Sequence, residues 1–263
     1  MEKTLFMCVS GLCGLCFLTG KADKGGNYHM VVGIIGAMDG EIKILKEAMQ
    51  DIEEMNLSGR SFFRGTINGC RVIVVKCGIG KVNAAVAAEI LCGGFRVDAL
   101  INTGVAGGID NRLRIGDIVL STDLLQHDMD VTGLGYEPGV IPDQDTSVFE
   151  ADEELRKLAL SVADMAVPGL RLIEGRIVSG DQFISSLEKK VFLLGAFSGV
   201  CAEMEGAAIA QVAHMNHTPF LVIRAISDQA DGGANIDYPT FLKTAEVNSS
   251  ELVMEMLHRI ANQ

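Results

Sequence analysis

Tryptophan is absent from this sequence, and proline and tyrosine are scarce, with five and three copies in 263 residues. Cations are the minority charge: 22 Lys and Arg stand against 34 Asp and Glu, a formal net charge of −12. That balance, without a basic patch, excludes the usual footprint of a nucleic-acid binder and leaves small neutral or cationic ligands as compatible partners. Thirty glycines beside so few prolines exclude a Pro-rich or fibrous chain and point to many tight strand–helix turns. A disulfide framework is also missing. Cys70, Cys77, Cys92 and Cys201 are scattered singly through apolar runs, as buried reduced thiols are. Cys13 and Cys16 form a C-x-x-C pair, but no second pair follows and the nearest histidine is His29, too few ligands for structural zinc.

Two nucleotide signatures are absent as well. Gly78-Ile-Gly-Lys-Val82 lacks the first glycine of a phosphate-binding P-loop, and Val82 stands where a magnesium-binding hydroxyl is needed. Gly104-Val-Ala-Gly-Gly108 departs from the dinucleotide G-x-G-x-x-G spacing. No long apolar span occurs: Leu5–Leu18 is too short to cross a bilayer. Its length suits a signal-peptide core, with a small-x-small site at Gly20-Lys21-Ala22, although Glu2 offsets Lys3 in the leading region. The expectation is a cytoplasmic protein with residues 1–29 as an extension outside the fold; export through a signal peptide over residues 1–22 is the alternative. Residues 30–263 read as a single domain without linker, composition break or repeat.

Along that domain, short apolar strands alternate with helical patterns. Val31–Ile35 predicts a strand, followed by a helix with Ile42, Leu45 and Met49 on one face. Phe62–Ile67 and Arg71–Cys77 predict a hairpin turning at Asn68-Gly69. A helix is expected from Gly78–Lys81 through Cys92, and a strand at Asp98–Thr103 that ends in the glycine loop Gly104–Gly108. A further strand at Gly116–Ser121 leads into a long loop from Gln126 to Pro142, of a length that is usually functional or at an interface. His127 within it reads as a structural hydrogen-bonder. Helices at Asp152–Asp164, Ser186–Leu194, Gly206–Met215 and Thr240–Ile260, with strands at Gly175–Ser179, Cys201 and Phe220, complete the pattern. It predicts an α/β fold: a three-layer sandwich with a central mixed β-sheet flanked by helices.

The stretch from Cys201 to Asp231 concentrates the chemistry. Glu203 and Glu205 lie in an apolar segment, and the apolar run after Pro219 carries Arg224 and ends in Ser227-Asp228. Charges at the ends of buried strands cost several kcal/mol unless paired or used. In α/β sheets the carboxyl ends of strands are where ligands bind. Glu205, Arg224 and Asp228 are therefore candidate site residues. Glu41 sits just past the first strand, where a first-turn acid favoured by the helix dipole is common.

Taken together and in order, Gly33-Ile-Ile-Gly-Ala-Met38 with Glu41, Gly78-Ile-Gly-Lys-Val82, Asn102-Thr-Gly-Val-Ala-Gly-Gly108, Val178-Ser-Gly-Asp-Gln-Phe-Ile184, Glu203-Met-Glu205 and Arg224-Ala-Ile-Ser-Asp228 resemble the 5′-methylthioadenosine/S-adenosylhomocysteine nucleosidases. The likeness runs from Met30 to the C-terminus. It implies a nucleoside phosphorylase/hydrolase-like fold and hydrolysis of an adenine–ribose bond, in 5′-deoxyadenosine as well as in the two named nucleosides, without metal or organic cofactor. Asp228 would be the general acid that protonates adenine N7, a task suited to a desolvated carboxyl. Glu41 would hold and deprotonate the attacking water, with Arg224 helping to orient it. Glu205 would bind the ribose hydroxyls and face the cationic transition state. Met204 would pack on the ribose, and Phe183 would stack on adenine with the backbone of Ile184 reading its edge. Met38 and Ile79 would line the apolar 5′ side with Tyr238 nearby, and Gly107 and Ser227 complete the expected substrate contacts. The resemblance also implies a homodimer in which Tyr136 and Pro142 reach the partner's site.

Three positions depart from the family pattern. Val105 stands where many members have serine, Leu134 where an aromatic is common, and Gly40 where an acid is more usual. A purine nucleoside phosphorylase on the same fold would need a cationic cradle for phosphate where Glu41 stands, and no arginine cluster supplies one. A non-catalytic binding protein, the reading that a signal-like N-terminus invites, would not need Glu41, Glu205 and Asp228 together.

Overall fold

A computed structural model describes residues 30–231 and 234–263. The signal-like run and the Cys13–Cys16 pair lie outside the described residues. The chain enters through β1 (Val31–Gly36), buried beyond its first residue. α1 (Asp39–Ala48) follows and buries Ile42 and Leu45, with Met49 buried just past its end. A meander comes next: β2 (Gln50–Leu57), β3 (Arg60–Ile67) and β4 (Cys70–Lys76) pair antiparallel in turn. Asn68 and Gly69 both take positive φ, 49° and 82°, as a tight hairpin turn requires. β2 escapes the sequence reading because it is polar and mostly exposed, an outer strand that pairs only with β3 among the described residues.

α2 (Lys81–Glu89) runs into a π-helical turn, Ile90–Phe95, before β5 (Ala99–Gly108). The glycine segment expected to be a loop is instead the second half of β5. Its backbone is claimed by two neighbours: β10 (Phe220–Asp228) pairs with it in parallel through Gly107, and β9 (Cys201–Glu203) pairs antiparallel at Gly107 and Gly108. Tertiary pairing overrides the weak strand preference of glycine here.

β6 (Ile118–Gln126) precedes the long loop, which contains only a short 3-10 turn, Thr132–Leu134. Beyond it lie the short β7 (Phe149–Glu150), α3 (Glu153–Ala166), β8 (Leu172–Ser179) and α4 (Leu187–Phe197). α5 (Gly206–Met215) separates β9 from β10, and α6 (Ala234–Ala261) ends the chain, starting earlier than the pattern predicts. The strands form one mixed sheet. Within it β5, β10, β6, β8 and β9 close on themselves into a ring, while β1, β4, β3 and β2 extend outward from β5. α6 packs against α1, α3 and β10, and α2 packs on α5, so helices flank the sheet as expected. No helix among the described residues is long and apolar enough to cross a membrane.

Candidate active site

A cleft of about 570 Å³ opens where β1, β5, β9 and β10 end. Parallel pairing of β1, β5 and β10 brings residues distant in the chain to this one rim. Glu41 enters it from the first turn of α1 and is only 3% exposed. Its Oε2 accepts hydrogen bonds from the backbone N–H groups of Ala37 (2.6 Å) and Met38 (2.9 Å). Oε1 accepts only a longer bond from Val105 N–H, 3.3 Å, and is the oxygen left to act on a ligand. Burial raises the proton affinity of Glu41, against the opposing pull of Arg224 and these N–H groups.

Gly104 makes this placement possible: a Cβ there would lie 2.6 Å from Glu41 Oε1 and 3.5 Å from Arg224 Nη1. Gly104→Ala is therefore expected to push Glu41 aside and cut turnover by about tenfold or more, with the fold retained. Unchanged kcat in the purified, folded variant would show that the Glu41 position is not critical. Gly40, the departure before Glu41, has a counterpart in α6: the Glu246 carboxylate occupies the space a side chain at residue 40 would fill.

Asp228 ends β10 and is 1% exposed. Its Oδ2 accepts from Ser227 Oγ at 2.9 Å and its Oδ1 from Ala230 N–H at 2.8 Å. A Cβ on Gly107 would come within 2.9 Å of Asp228 Oδ1, so that glycine clears the space the acid occupies.

Glu205, at the N-terminal boundary of α5, accepts from Gly80 N–H at 2.8 Å. Burial first, then the neighbouring Glu203 charge, push its pKa up to about 8. Its folded value thus lies above the ordinary 4.5. The stability it contributes is fully present below pH 4.5 and is lost as pH rises through about 8. Glu205→Gln, neutral throughout, should melt roughly 5 °C or more above the parent beyond pH 8, the gap closing toward pH 4.5. A gap independent of pH, measured by thermal unfolding, would contradict this.

Arg224, expected to help orient the water, is 2% exposed and is not among the residues lining the cleft. Its Nε and Nη2 donate to Glu203 Oε2 at 3.2 and 2.6 Å. Nη2 also bonds Asn102 Oδ1, and Nη1 donates to the carbonyls of Ile223 (3.0 Å) and Asn102 (3.4 Å). Glu203, which the sequence reading left without a role, touches the cavity and holds this arginine.

Apolar side chains form the walls of the cleft. Phe183 is half-exposed into the cleft, edge-on to Tyr238 at 5.8 Å between ring centroids. The Tyr238 hydroxyl donates to Met38 Sδ at 3.3 Å. Ile79, Ile184, Met204, Ser227 and Gly107 also line the cleft. Val105, with no hydroxyl to offer, serves Glu41 through its backbone. Ala37, Ala106, Gln182 and Ala202 line it too and were not foreseen; small residues and a lone amide carry no sequence signal of a site. Tyr136 and Pro142 are not among the residues lining this chain's own cleft. Tyr136 and Leu134 are exposed on the long loop. His127 is buried, and neither ring nitrogen has a hydrogen-bond partner among the described residues, contrary to the expected structural role.

Comparison with known proteins gives concordant matches. Residues 31–258 match the phosphorylase superfamily. A 5′-methylthioadenosine/S-adenosylhomocysteine nucleosidase of Exiguobacterium sp. is 40% identical over 232 residues, which span 88% of this chain and 99% of the relative. The Neisseria meningitidis nucleosidase of that name, solved with methylthio-immucillin-A, is 41% identical at a TM-score of 0.83, covering 87% of this chain and 99% of that one. The Colwellia psychrerythraea nucleosidase, solved with adenine, is 40% identical at a TM-score of 0.84, covering 88% and 96%.

Proposed function

This chain belongs to the phosphorylase superfamily and, within it, to the 5′-methylthioadenosine/S-adenosylhomocysteine nucleosidases, and from that premise we propose how its buried carboxylates divide the work. The protein hydrolyses the N-glycosidic bond of these nucleosides, releasing adenine and the 5-substituted ribose. Adenine leaves poorly unless N7 is protonated. Asp228, held by Ser227 and Ala230, delivers that proton. Glu41 Oε1 takes a proton from water as the water attacks the anomeric carbon. Glu205 accepts the ribose hydroxyls and, in its ionised form, opposes the positive charge that develops on the sugar. Met204 packs on the ribose, Phe183 on the base, and Met38, Ile79 and Tyr238 enclose the 5′ group.

One observation favours water over phosphate as the nucleophile. Glu41, Glu203, Glu205 and Asp228 all border the cavity, and the adjacent guanidinium of Arg224 is already neutralised by Glu203. An incoming phosphate dianion would meet repulsion with no cation among the described residues lining the cleft to offset it. Adenine release from methylthioadenosine in phosphate-free buffer tests this; turnover that requires phosphate and yields ribose 1-phosphate would overturn it.

The working form is a homodimer. Large apolar side chains stand exposed on α2 (Val82, 76%), on the long loop (Leu134, 77%) and on α4 (Leu187, 64%), a pattern that supports coverage by another chain. Tyr136 and Pro142, away from their own cleft, then complete the 5′ side of the partner's. Sedimentation at assay concentration checks the assembly, and a monomeric, fully active species would refute it.

A further inference from the structure

One carboxylate beneath the cleft joins more of the site than any other side chain there. Glu203 Oε2 receives both the Nε and Nη2 groups of Arg224 and the backbone N–H groups of Glu205 (3.1 Å) and Gly206 (2.8 Å). Its Oε1 receives the hydroxyl of Ser179 at the end of β8, and that hydroxyl in turn accepts Ala207 N–H at 2.7 Å. On the far side Asn102 of β5 holds the same guanidinium and anchors itself to Ile35 O of β1 at 2.9 Å. Every nitrogen of Arg224 is thereby directed at protein, and Glu203 is the carboxylate that its N–H groups bond, while Glu41 and Glu205 feel it only through space.

We propose that Glu203 is a positioning residue for hydrolysis: by clamping Arg224 it withholds the guanidinium from Glu41 and Glu205, leaving those two carboxylates available to the water and the ribose. This rests on the nucleosidase reading given above. The chemistry follows from charge counting. A buried guanidinium shared among Glu41, Glu203 and Glu205 would favour the ionised form of all three. Concentrated on Glu203, it keeps that residue ionised, its proton affinity held down despite complete burial by Arg224 and Ser179. Glu41 and Glu205 then keep raised proton affinity, which a base drawing a proton from water requires. The other titratable groups that face them are Cys77 just past β4, Asp228 of β10 and Tyr238 of α6. None of these is a cation.

The test is the pH profile of kcat/KM for methylthioadenosine in the parent, in Glu203→Gln and in Ser179→Ala. In the parent, the acid limb should lie above the ordinary carboxylate range. Glu203→Gln removes the competing anion and releases Arg224 toward its neighbours, so the acid limb should move down by about one pH unit or more. Ser179→Ala weakens the ionised form of Glu203 without touching the cavity, and should move the limb the same way by less. A merely structural role would lower activity uniformly and leave the limb in place; that result in both variants, or parent-like profiles in both, would overturn the proposal. If Glu203→Gln fails to fold, Ser179→Ala decides alone. A parent protein that releases no adenine would instead remove the hydrolase reading, and this inference with it.

Discussion

Asp228→Asn is expected to lower kcat by about 10²- to 10⁴-fold while changing KM little. Asparagine is isosteric here. Its Oδ1 can take over the bond from Ala230 N–H, and its amide can donate to Ser227 Oγ, whose own proton can turn to Ala106 O, already 3.4 Å away. The fold and the cleft should therefore survive. The amide can still donate a hydrogen bond to N7, so substrate should still bind. It cannot transfer a proton, so adenine leaves without the protonation that makes it a competent leaving group. Steady-state kinetics on the purified variant check this, and near-parent kcat would remove Asp228 from the role of acid.

Glu41→Gln should cost a similar factor, about 10²- to 10⁴-fold, for a different reason. Of the two carboxylate oxygens, Oε2 is occupied by the N–H groups of Ala37 and Met38, so a glutamine must place its carbonyl there. Its NH₂ group then points where Oε1 stands, toward Val105 N–H and the cleft. A donor replaces the acceptor that the attacking water needs, and water can be neither oriented nor deprotonated. Because Glu41 and Asp228 act in one transition state, the double variant should fall well short of the product of the two losses. Multiplicative losses would instead mean that the two groups contribute independently to that transition state.

Much of this was legible from the sequence because the signals are local. Asn68-Gly69 carries its own turn geometry. Asp152 and Ser186 stand where the helices α3 and α4 begin, and each side chain accepts the expected capping bond, from Leu155 N–H and Lys189 N–H. The acid residues at strand ends marked the cleft because burying them without use would be costly. What was not legible depends on partners far apart in the chain. Gly104–Gly108 has the composition of a loop and becomes strand only because β10 and β9 claim its backbone. The direction of the Arg224 side chain is set by Glu203 and Asn102, neither of which announces that choice in its own segment. Glu203 itself is masked by proximity: two residues from Glu205, it carries the same residue type and the opposite task.

The ring of strands β5, β10, β6, β8 and β9 bears on how the active protein comes into being. β10 is the final strand of the chain, yet it inserts between β5 and β6, and it carries both Arg224 and Asp228. Until it docks, Glu203 has no counterion, Asp228 is not at the cleft, and the ring has an open edge. Helices such as α3 can form early from local contacts, whereas this closure waits on pairings of high sequence separation, the slow class of folding event. Recovery of adenine release during refolding should therefore lag recovery of the helical circular-dichroism signal. A chain cut short before residue 220 would retain Glu41 and Glu205 and still be silent as an enzyme.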